Sequence, residues 1–557
     1  MNLYLSFKES ALKHNKRTAL LWKDKNKWRK ISFEETLNKI NKLAEGLLSV
    51  GVSPGDNVAI FSENKPEWLI SDLALNKVKA ISVPIHYTNK KPLVEYILED
   101  SQSGFLIIST KIFKDHAEYL LKSDLKKIIV IGGSEIKNNK IIDFDDLLLE
   151  LTDEVEAMSG GDVDDIASII YTSGTTGKMK GVVLTNRNFL SNIDSAKDVV
   201  DVKPTDTMLS FLPLSHILER TDGSFTPLFQ GARVAYAESI QDLAKNLKEV
   251  RPTIFISVPK IFQRIHEKVF IEIKDKNTII KNFFYWSLKQ KKGSFGHFLA
   301  DKIIYKKIRN SFGGKLLCAV SGGASIHKRI LKFFQKIGIN IIEGYGLTET
   351  SPIIAANSMK NNKIGTVGQI VRGVEVKIAP DKEILVKGDS VFSGYWKKDD
   401  VTKESFTEDG WFKSGDLGYL DNDNYLTIIG RKKEIIILSN GKNVSPERIE
   451  CVINLSTSIE QSLVVGHKRP YLVAFIFPNQ DVIKEKYSNS SKEKIEKIIQ
   501  KKIDKANIDL EPHAQIRKFK ILSKPLSVEE GELTPTLKIK RKVVESKYYK
   551  VIEELYR

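Results

Sequence analysis

The sequence predicts an α/β protein with a large N-terminal domain of α/β layers and a smaller C-terminal α+β domain. Its 557 residues exceed one ordinary core, at roughly 150 residues per domain. Through the first hundred residues, apolar runs of strand length alternate with segments whose apolar positions recur at helical spacing, the pattern of parallel sheets covered by helices. After Gly430-Arg431-Lys432-Lys433-Glu434 a second, smaller pattern begins and runs to the C-terminus. The boundary is therefore set at 431–433, between a domain over 1–430 and one over 434–557.

The elements follow in order. Ser32 with Glu35 forms a capping signature, and Leu37, Ile40, Leu43, Leu47 and Leu48 supply one apolar helical face behind it. Gly51 to Asp56 breaks that helix, and Val58 to Phe61 reads as a buried strand. A helix over 66–76, a strand over 80–85, a helix over 92–100 and a strand over 105–108 continue the alternation.

Ile166 to Ile170 then delivers the chain into Tyr171-Thr172-Ser173-Gly174-Thr175-Thr176-Gly177-Lys178-Met179-Lys180, followed at once by the apolar run Val182-Val183-Leu184. Glycines let the backbone fold around an anion, hydroxyls and amides donate, and two lysines add charge, so the loop reads as a phosphate cradle for a nucleotide. The P-loop pattern requires Ser or Thr after Gly-Lys at the start of a helix; here Met179 and a strand follow. Taken alone, the segment is also compatible with a surface hairpin whose Gly and Thr merely form the turn.

His216 stands behind the apolar run Phe211-Leu212-Pro213-Leu214, either as a core histidine or as a pocket wall. Pro252 to Val258 is a strand closed by Pro259. Residues 264–310 are helical and basic and carry Phe283, Phe284, Tyr285, Trp286 and Phe298. Such a segment suits a lipid interface, or else a helical hairpin with aromatics inside and lysines solvated. Basic and aromatic positions that are not separated by face favour the hairpin.

Two glycine-bearing turns come next, Ser321-Gly322-Gly323-Ala324 and Glu343-Gly344-Tyr345-Gly346-Leu347-Thr348-Glu349-Thr350, each behind an apolar strand. Ligands of parallel sheets bind beyond the carboxyl ends of the strands. Tyr345 offers a ring for a base, and Glu349 a carboxylate for a divalent cation. Either turn alone is equally an ordinary strand-to-helix turn. Asp416 precedes a hairpin that ends at Arg431; a carboxylate there accepts from two ribose hydroxyls, with an arginine beside it, or is a plain turn aspartate.

Composition narrows the classes. The net charge of +17 is spread along the chain without an arginine–aromatic module, which reads as lysine bias rather than nucleic-acid binding. Cys318 and Cys451 lie far apart and lack metal-ligand spacing, as expected in a reducing cytoplasm. Lys8, Glu9 and Lys13 stand where a signal peptide has its apolar core, and no apolar window has the length of a membrane span.

The motifs YTSGTTGKMKGV, LPLSH, EGYGLTET, GWFKSGDLGYL, GRKKE, SNGKNVSPERIE and LTPTLKIKR occur in the order of the adenylate-forming superfamily. Over nearly its full length the chain resembles long-chain fatty acyl-CoA synthetases. The resemblance implies the adenylate-forming fold with a mobile C-terminal domain, ATP, Mg²⁺ and coenzyme A as cofactors, and a medium- or long-chain fatty acid as substrate. It implies that Thr172 to Lys180 hold the β- and γ-phosphates, with Thr172 and Glu349 near Mg²⁺. Gly323, Glu343, Gly344, Tyr345 and Thr348 would contact adenine or the α-phosphate, and Asp416 and Arg431 the ribose. Lys433 matches the family's hinge position, Asn440 and Lys442 lie by the pantetheine channel, and Lys538 matches the adenylation lysine. Glu349, His216 and Lys538 take the catalytic places; His216, Val258-Pro259 and Gly322-Gly323 would line the acyl tunnel.

The resemblance also leaves room for a homodimer and for peripheral contact with the inner membrane face through 264–310. Alternatives are an acyl-AMP ligase that loads a carrier protein, a ligase for another acid, and a basic scaffold or nucleic-acid-binding protein with a decayed active site. GRKKE and Lys442 favour coenzyme A, and the full set of Lys178, Glu349, Asp416, Arg431 and Lys538 speaks against decay. Three departures stand out. Met179 replaces a usual proline, which should loosen the phosphate loop; Asn440 replaces a common glycine; and TPTLKIKR replaces the Ser-Gly-Lys form of acetate-activating relatives.

Overall fold

Six parallel strands run side by side in each of two large sheets in the computed structural model, which describes residues 1–557 apart from 151, 154, 156–157, 173–178, 488–490, 523, 528–529 and 534–538. The first sheet runs, in spatial order, Gly394–Tyr395, Lys180–Thr185, Ile166–Thr172, Ile81–Pro84, Asn57–Phe61, Phe105–Ser109, Lys127–Ile131 and Ile141–Asp143. The second runs Gln369–Ile370, Ile353–Ala356, Asn340–Gly346, Cys318–Ser321, Ile254–Ser257, Thr207–Ser210, Arg233–Tyr236, Thr18–Asp24 and Lys27–Ser32. Their central strands are buried along their whole length, which is why they read as continuous apolar runs rather than as alternation.

Helices Leu3–Lys13, Phe33–Ser49, Pro66–Lys77 and Asn186–Val199 fill the space between the sheets and share one core with strands of both. Ser32 and Glu35 close the predicted capping box. Pro66–Lys77 is buried on every side, apart from Glu67, as an all-round apolar helix must be. Its terminal Lys77 donates to Asn41 Oδ1 at 2.9 Å and lies over the Tyr4 ring at 5.0 Å.

A π-helical turn, Glu219–Phe225, ties the layers together. Its fully buried Arg220 donates to Asp72 Oδ2 at 2.8 Å on Pro66–Lys77 and to Ser82 and Ser168 Oγ, at 2.8 and 2.7 Å, on two strands of the first sheet. Beside it, the carboxyls of Glu219 and Asp222 are buried without a hydrogen-bond partner. Burial pushes Glu219 up to about 8 and raises Asp222 well above its usual range.

Downstream, Val374–Ile378, Glu383–Gly388, Phe412–Leu420 and Leu426–Arg431 make an antiparallel sheet. The single turn Lys432–Glu434 leads from it to a three-stranded sheet of Ile459–Val465, Leu472–Pro478 and Ile516–Ile521. Helices Pro446–Ile453 and Lys492–Ile508 pack on one face through Ile449, Ile453, Ile499 and Ile503. Arg541–Lys547 and Tyr549–Tyr556 contribute Val544 and Ile552 to the core on the other. This α+β unit touches the large one where Lys260 Nζ donates to the Glu460 carbonyl at 2.8 Å and Gln263 to the Asn454 carbonyl.

One expected turn is strand instead. Asn340–Gly346 stays extended through both of its glycines and pairs antiparallel with Ile353–Ala356. A Cβ on Gly346 would stand 1.8 Å from the Pro352 carbonyl oxygen, so the returning strand lies directly over it.

Candidate functional site

The hairpin Phe412–Leu420/Leu426–Arg431 places Asp416 and Arg431 directly across from each other, which puts both side chains on one face. Asp416 is buried and receives the Arg431 Nε at 2.9 Å on one carboxylate oxygen and the Tyr345 hydroxyl at 2.7 Å on the other. Burial, reinforced by the Asp416 charge, raises the Tyr345 phenol well above its usual range, so it stays a donor. Residues 71 positions apart thus share one carboxylate.

A second cluster lies at the edge of the first sheet. Tyr395 donates to Glu349 Oε1 at 2.9 Å, and the Lys180 ammonium sits 4.8 Å from the Tyr395 ring centre. Burial first, and then the nearby Lys433, lower the Lys180 pKa, while Glu349 opposes them. Two ammonium groups beside one carboxylate make a locally positive site, suited to a polyphosphate. Thr172 faces Lys180 in the strand register, so the ends of the predicted cradle stand at this cluster; Ser173 to Lys178 lie outside the described residues.

The base of that loop is braced. Tyr96 donates to the Met179 carbonyl at 2.8 Å, Tyr171 to Asp100 Oδ2 at 2.7 Å and Trp396 Nε1 to the Asp100 carbonyl at 3.1 Å. Met179 itself packs against the core beneath the sheet. The loosening expected from a missing proline therefore meets direct support on that side.

Gly323 has a φ of +81°, and a Cβ there would meet nothing within 4 Å: it needs glycine for its backbone and leaves open space. Glu343 is buried with Oε2 unpartnered, and burial pushes its carboxyl up to about 8 despite Lys328 and a Gly365 amide. An orphaned neutral carboxyl, open space and the Tyr345 ring fit a planar base that both donates and accepts. Gly322 differs from expectation. A Cβ there would stand 3.0 Å from Leu218 Cδ2, so the missing side chain accommodates Leu218 rather than leaving a void.

Glu349 with Thr172 fits Mg²⁺ that arrives with phosphates, a mode needing only one or two protein carboxylates. Among the described residues no group of three or more His, Cys, Asp or Glu could hold a metal ion by itself. His216 is half-buried, its Nδ1 accepting from Leu218 N at 3.4 Å. Thr348 and Gly344 lie on the same segment as Tyr345 and Glu349. The structure does not bring Asn440 and Lys442 to these clusters: both are exposed on a turn closed by Leu438 N to the Lys442 carbonyl. Lys538 lies outside the described residues. Tyr395 escaped the sequence reading; its signal was the aromatic pair Tyr395-Trp396 between Gly394 and Lys397.

With this geometry in hand, the class is defined: the chain belongs to the AMP-binding enzyme family, whose model matches residues 7–396, and the AMP-binding enzyme C-terminal domain matches 433–557. It is similar to a long-chain-fatty-acid–CoA ligase of Mycobacterium bovis, with 35% identity over 95% of this chain and 92% of that protein. It is also similar to a chloroplastic long-chain-fatty-acid–[acyl-carrier-protein] ligase of Arabidopsis thaliana, with 29% identity over 99% of this chain and 86% of that one. Its fold is that of the o-succinylbenzoate coenzyme A synthetase of Bacillus subtilis in complex with AMP, with TM-score 0.73, 23% identity and coverage of 97% and 98% of the two chains.

Proposed function

We propose that this chain activates medium- or long-chain fatty acids with ATP and Mg²⁺ to acyl-AMP, then transfers the acyl group to coenzyme A, releasing AMP. The observation that carries the reading is the pairing of Asp416 with both Tyr345 and Arg431 beside the cationic Lys180 cluster. One half suits a nucleoside and the other its phosphates. The similarity to fatty-acid–CoA ligases along 95% of the chain supplies the acid and the thiol.

In the first half-reaction a carboxylate oxygen bonds to the α-phosphorus and the bond to pyrophosphate breaks. Asp416 and Arg431 orient the ribose, and Glu343 and Tyr345 border the base. Lys180, together with the loop it follows, holds the departing phosphates. Glu349 and Thr172 would hold Mg²⁺, which would supply charge neutralisation at the phosphates. Lys538 is assigned to the charge growing between carboxylate and α-phosphate, where a positioned cation acts with little reorganisation. In the second half-reaction the thiol sulfur bonds to the acyl carbon and AMP leaves; Lys433 is the pivot about which residues 434–557 turn to admit it. A cytoplasmic site at the membrane face belongs to the same reading, since the acid partitions into bilayers while ATP and coenzyme A stay in water.

The test is pyrophosphate release over acids from octanoate to oleate, with and without coenzyme A; release with none of them sinks the fatty-acid reading. Lys538→Ala is expected to abolish acyl-AMP formation while sparing thioester formation from supplied acyl-AMP. The Arabidopsis relative motivates a second reading, transfer to a carrier protein. Faster thioester formation on a phosphopantetheinyl carrier than on coenzyme A would favour it.

A further inference from the structure

Helix Lys91–Ser101 supplies no side chain to the Asp416 or Glu349 cluster, yet its last turn carries an acid, Asp100, and no basic residue. A carboxylate at that end opposes the partial negative charge of the helix C-terminus. The helix gains nothing from it, so its contacts must account for its place.

Those contacts come from separate parts of the phosphate site. Tyr171, which donates to Asp100 Oδ2 at 2.7 Å, precedes Thr172 at the entry to the predicted cradle. The Tyr96 hydroxyl, one helical turn before Asp100, stands 3.4 Å from Oδ1 and donates to the Met179 carbonyl at the exit, at 2.8 Å. Trp396 Nε1 donates to the Asp100 carbonyl at 3.1 Å, and the neighbouring Tyr395 hydroxyl holds Glu349 Oε1. The Lys398 ammonium lies 3.7 Å from Asp100 Oδ1 and adds to the positive charge around Lys180. One residue thus ties both ends of the cradle to the strand beside Glu349.

Packing makes the tie stiff. A Cβ on Gly181 would stand 3.2 Å from Trp396 Cβ and 3.2 Å from Tyr171 Cζ, so a bare backbone at that point lets both rings close over the strand Lys180–Thr185. Trp396 N donates to the Gly181 carbonyl at 2.8 Å, and Tyr395 pairs with Val182. Tyr96 and Tyr171 meet edge-on, their ring centres 6.3 Å apart. Burial first, and then the bond to Asp100, raise the Tyr171 phenol above its usual range, so it stays a donor.

We propose that Asp100 is a positioning residue for ATP: through Tyr171, Tyr96 and Trp396 it fixes where Thr172, Met179 and Lys180 stand toward the β- and γ-phosphates. It touches no substrate itself. The proposal rests on the ATP-dependent reading and deepens it, by making affinity for the polyphosphate depend on a helix outside the site. A cradle already held in place need not be ordered when the ligand arrives, and the saved cost appears as affinity. AMP has no β- or γ-phosphate, so Asp100 gives it nothing. A carboxylate that served stability alone would affect both nucleotides alike.

The test is calorimetric binding of ATP with Mg²⁺, and of AMP, to the full chain without acid or coenzyme A. Asp100→Ala should weaken ATP at least about tenfold, the scale of one hydrogen bond to a charged group. AMP should stay within about twofold, the range of a distant surface substitution. Asp100→Asn keeps an oxygen for Tyr171 and should recover most of the ATP affinity. Tyr171→Phe should lose what Asp100→Ala loses, and the two together no more, since non-additivity marks a shared contact. In turnover, KM for ATP should rise while KM for the acid holds, and thioester formation from supplied acyl-AMP should keep its rate. Equal losses for ATP and AMP, an ATP affinity untouched by Asp100→Ala, or additive losses in the double variant would overturn the proposal. Should Asp100→Ala not fold, Tyr171→Phe, which removes a single oxygen, carries the same comparison of ATP with AMP. A wild-type chain that binds neither nucleotide would overturn the ATP-dependent reading and this proposal with it, whereas normal ATP binding by the variants overturns the role of Asp100 alone.

Discussion

Asp416 accepts from Tyr345 and Arg431 at once, and under the proposed function this carboxylate is the group that would orient the ribose. Asp416→Asn keeps the shape but removes the charge and strands Arg431. Truncating one partner of a buried charged pair costs roughly 2–5 kcal/mol, so kcat/KM for ATP should fall about a hundredfold, mostly through KM, in a pyrophosphate-release assay. Glu219 makes a different prediction. Burial pushes its folded pKa up to about 8 from an ordinary 4.5. Between these values the unfolded chain has released a proton that the folded chain keeps. Its contribution to stability is therefore complete below pH 4.5 and is lost as the pH rises through about 8. Glu219→Gln should flatten the decline in Tm between pH 6 and 8, read by thermal shift; a decline unchanged from wild type would show that the carboxyl does not titrate there. At this scale Asp416, Arg431, Glu349 and Lys180 were legible, because motif residues announce themselves by type and spacing. Glu219 and Tyr395 were not, since their meaning rests on burial and on partners far away in sequence.

Strands and helices between 33 and 108 lie close to where periodicity puts them, because their apolar faces and breakers are local: Phe33–Ser49 for the capped helix and Asn57–Phe61 for the strand after Gly51 to Asp56. Asn340–Gly346 shows the limit. Its glycines signal a turn locally, yet pairing with Ile353–Ala356 keeps it extended, and tertiary hydrogen bonds outweigh a weak local preference. The turn Glu219–Phe225 is the other case, a π-helical segment held by Arg220. Arg220→Met should destabilise the protein by about 3–5 kcal/mol, since Asp72 would remain buried and unpaired. Pairing it with Asp72→Leu should recover much of the loss in a denaturation series, and failure to recover would show that Ser82 and Ser168 matter more than the ion pair.

At the scale of the molecule, residues 434–557 touch the large unit through carbonyls accepted by Lys260 and Gln263, and through Cys451 near the Ser325 carbonyl. Arg264 and Glu460 add an ion pair at 3.4 Å, and Leu455 packs against the core of the large unit. The turn Lys432–Glu434 is the covalent link. Lys433→Pro fixes φ there and should leave pyrophosphate release within about twofold, in line with a surface substitution, while slowing thioester formation at least tenfold; equal loss of both would remove Lys433 from the pivot. Asn440 and Lys442 are exposed on their turn, and under the proposed function they would join the site as the small unit rotates.

By itself the sequence determined the α/β class, the order of the motifs and most of the chemistry, because residue type, hydrophobic period and glycine placement are local properties. Tertiary structure alone decided that one carboxylate serves Tyr345 and Arg431, that Leu218 occupies the room at Gly322, and that the rings of 285–298 split between core and surface. Each of these depends on which distant segments are brought within a few ångströms, and burial, which sets both pKa and exposure, exists only after they meet.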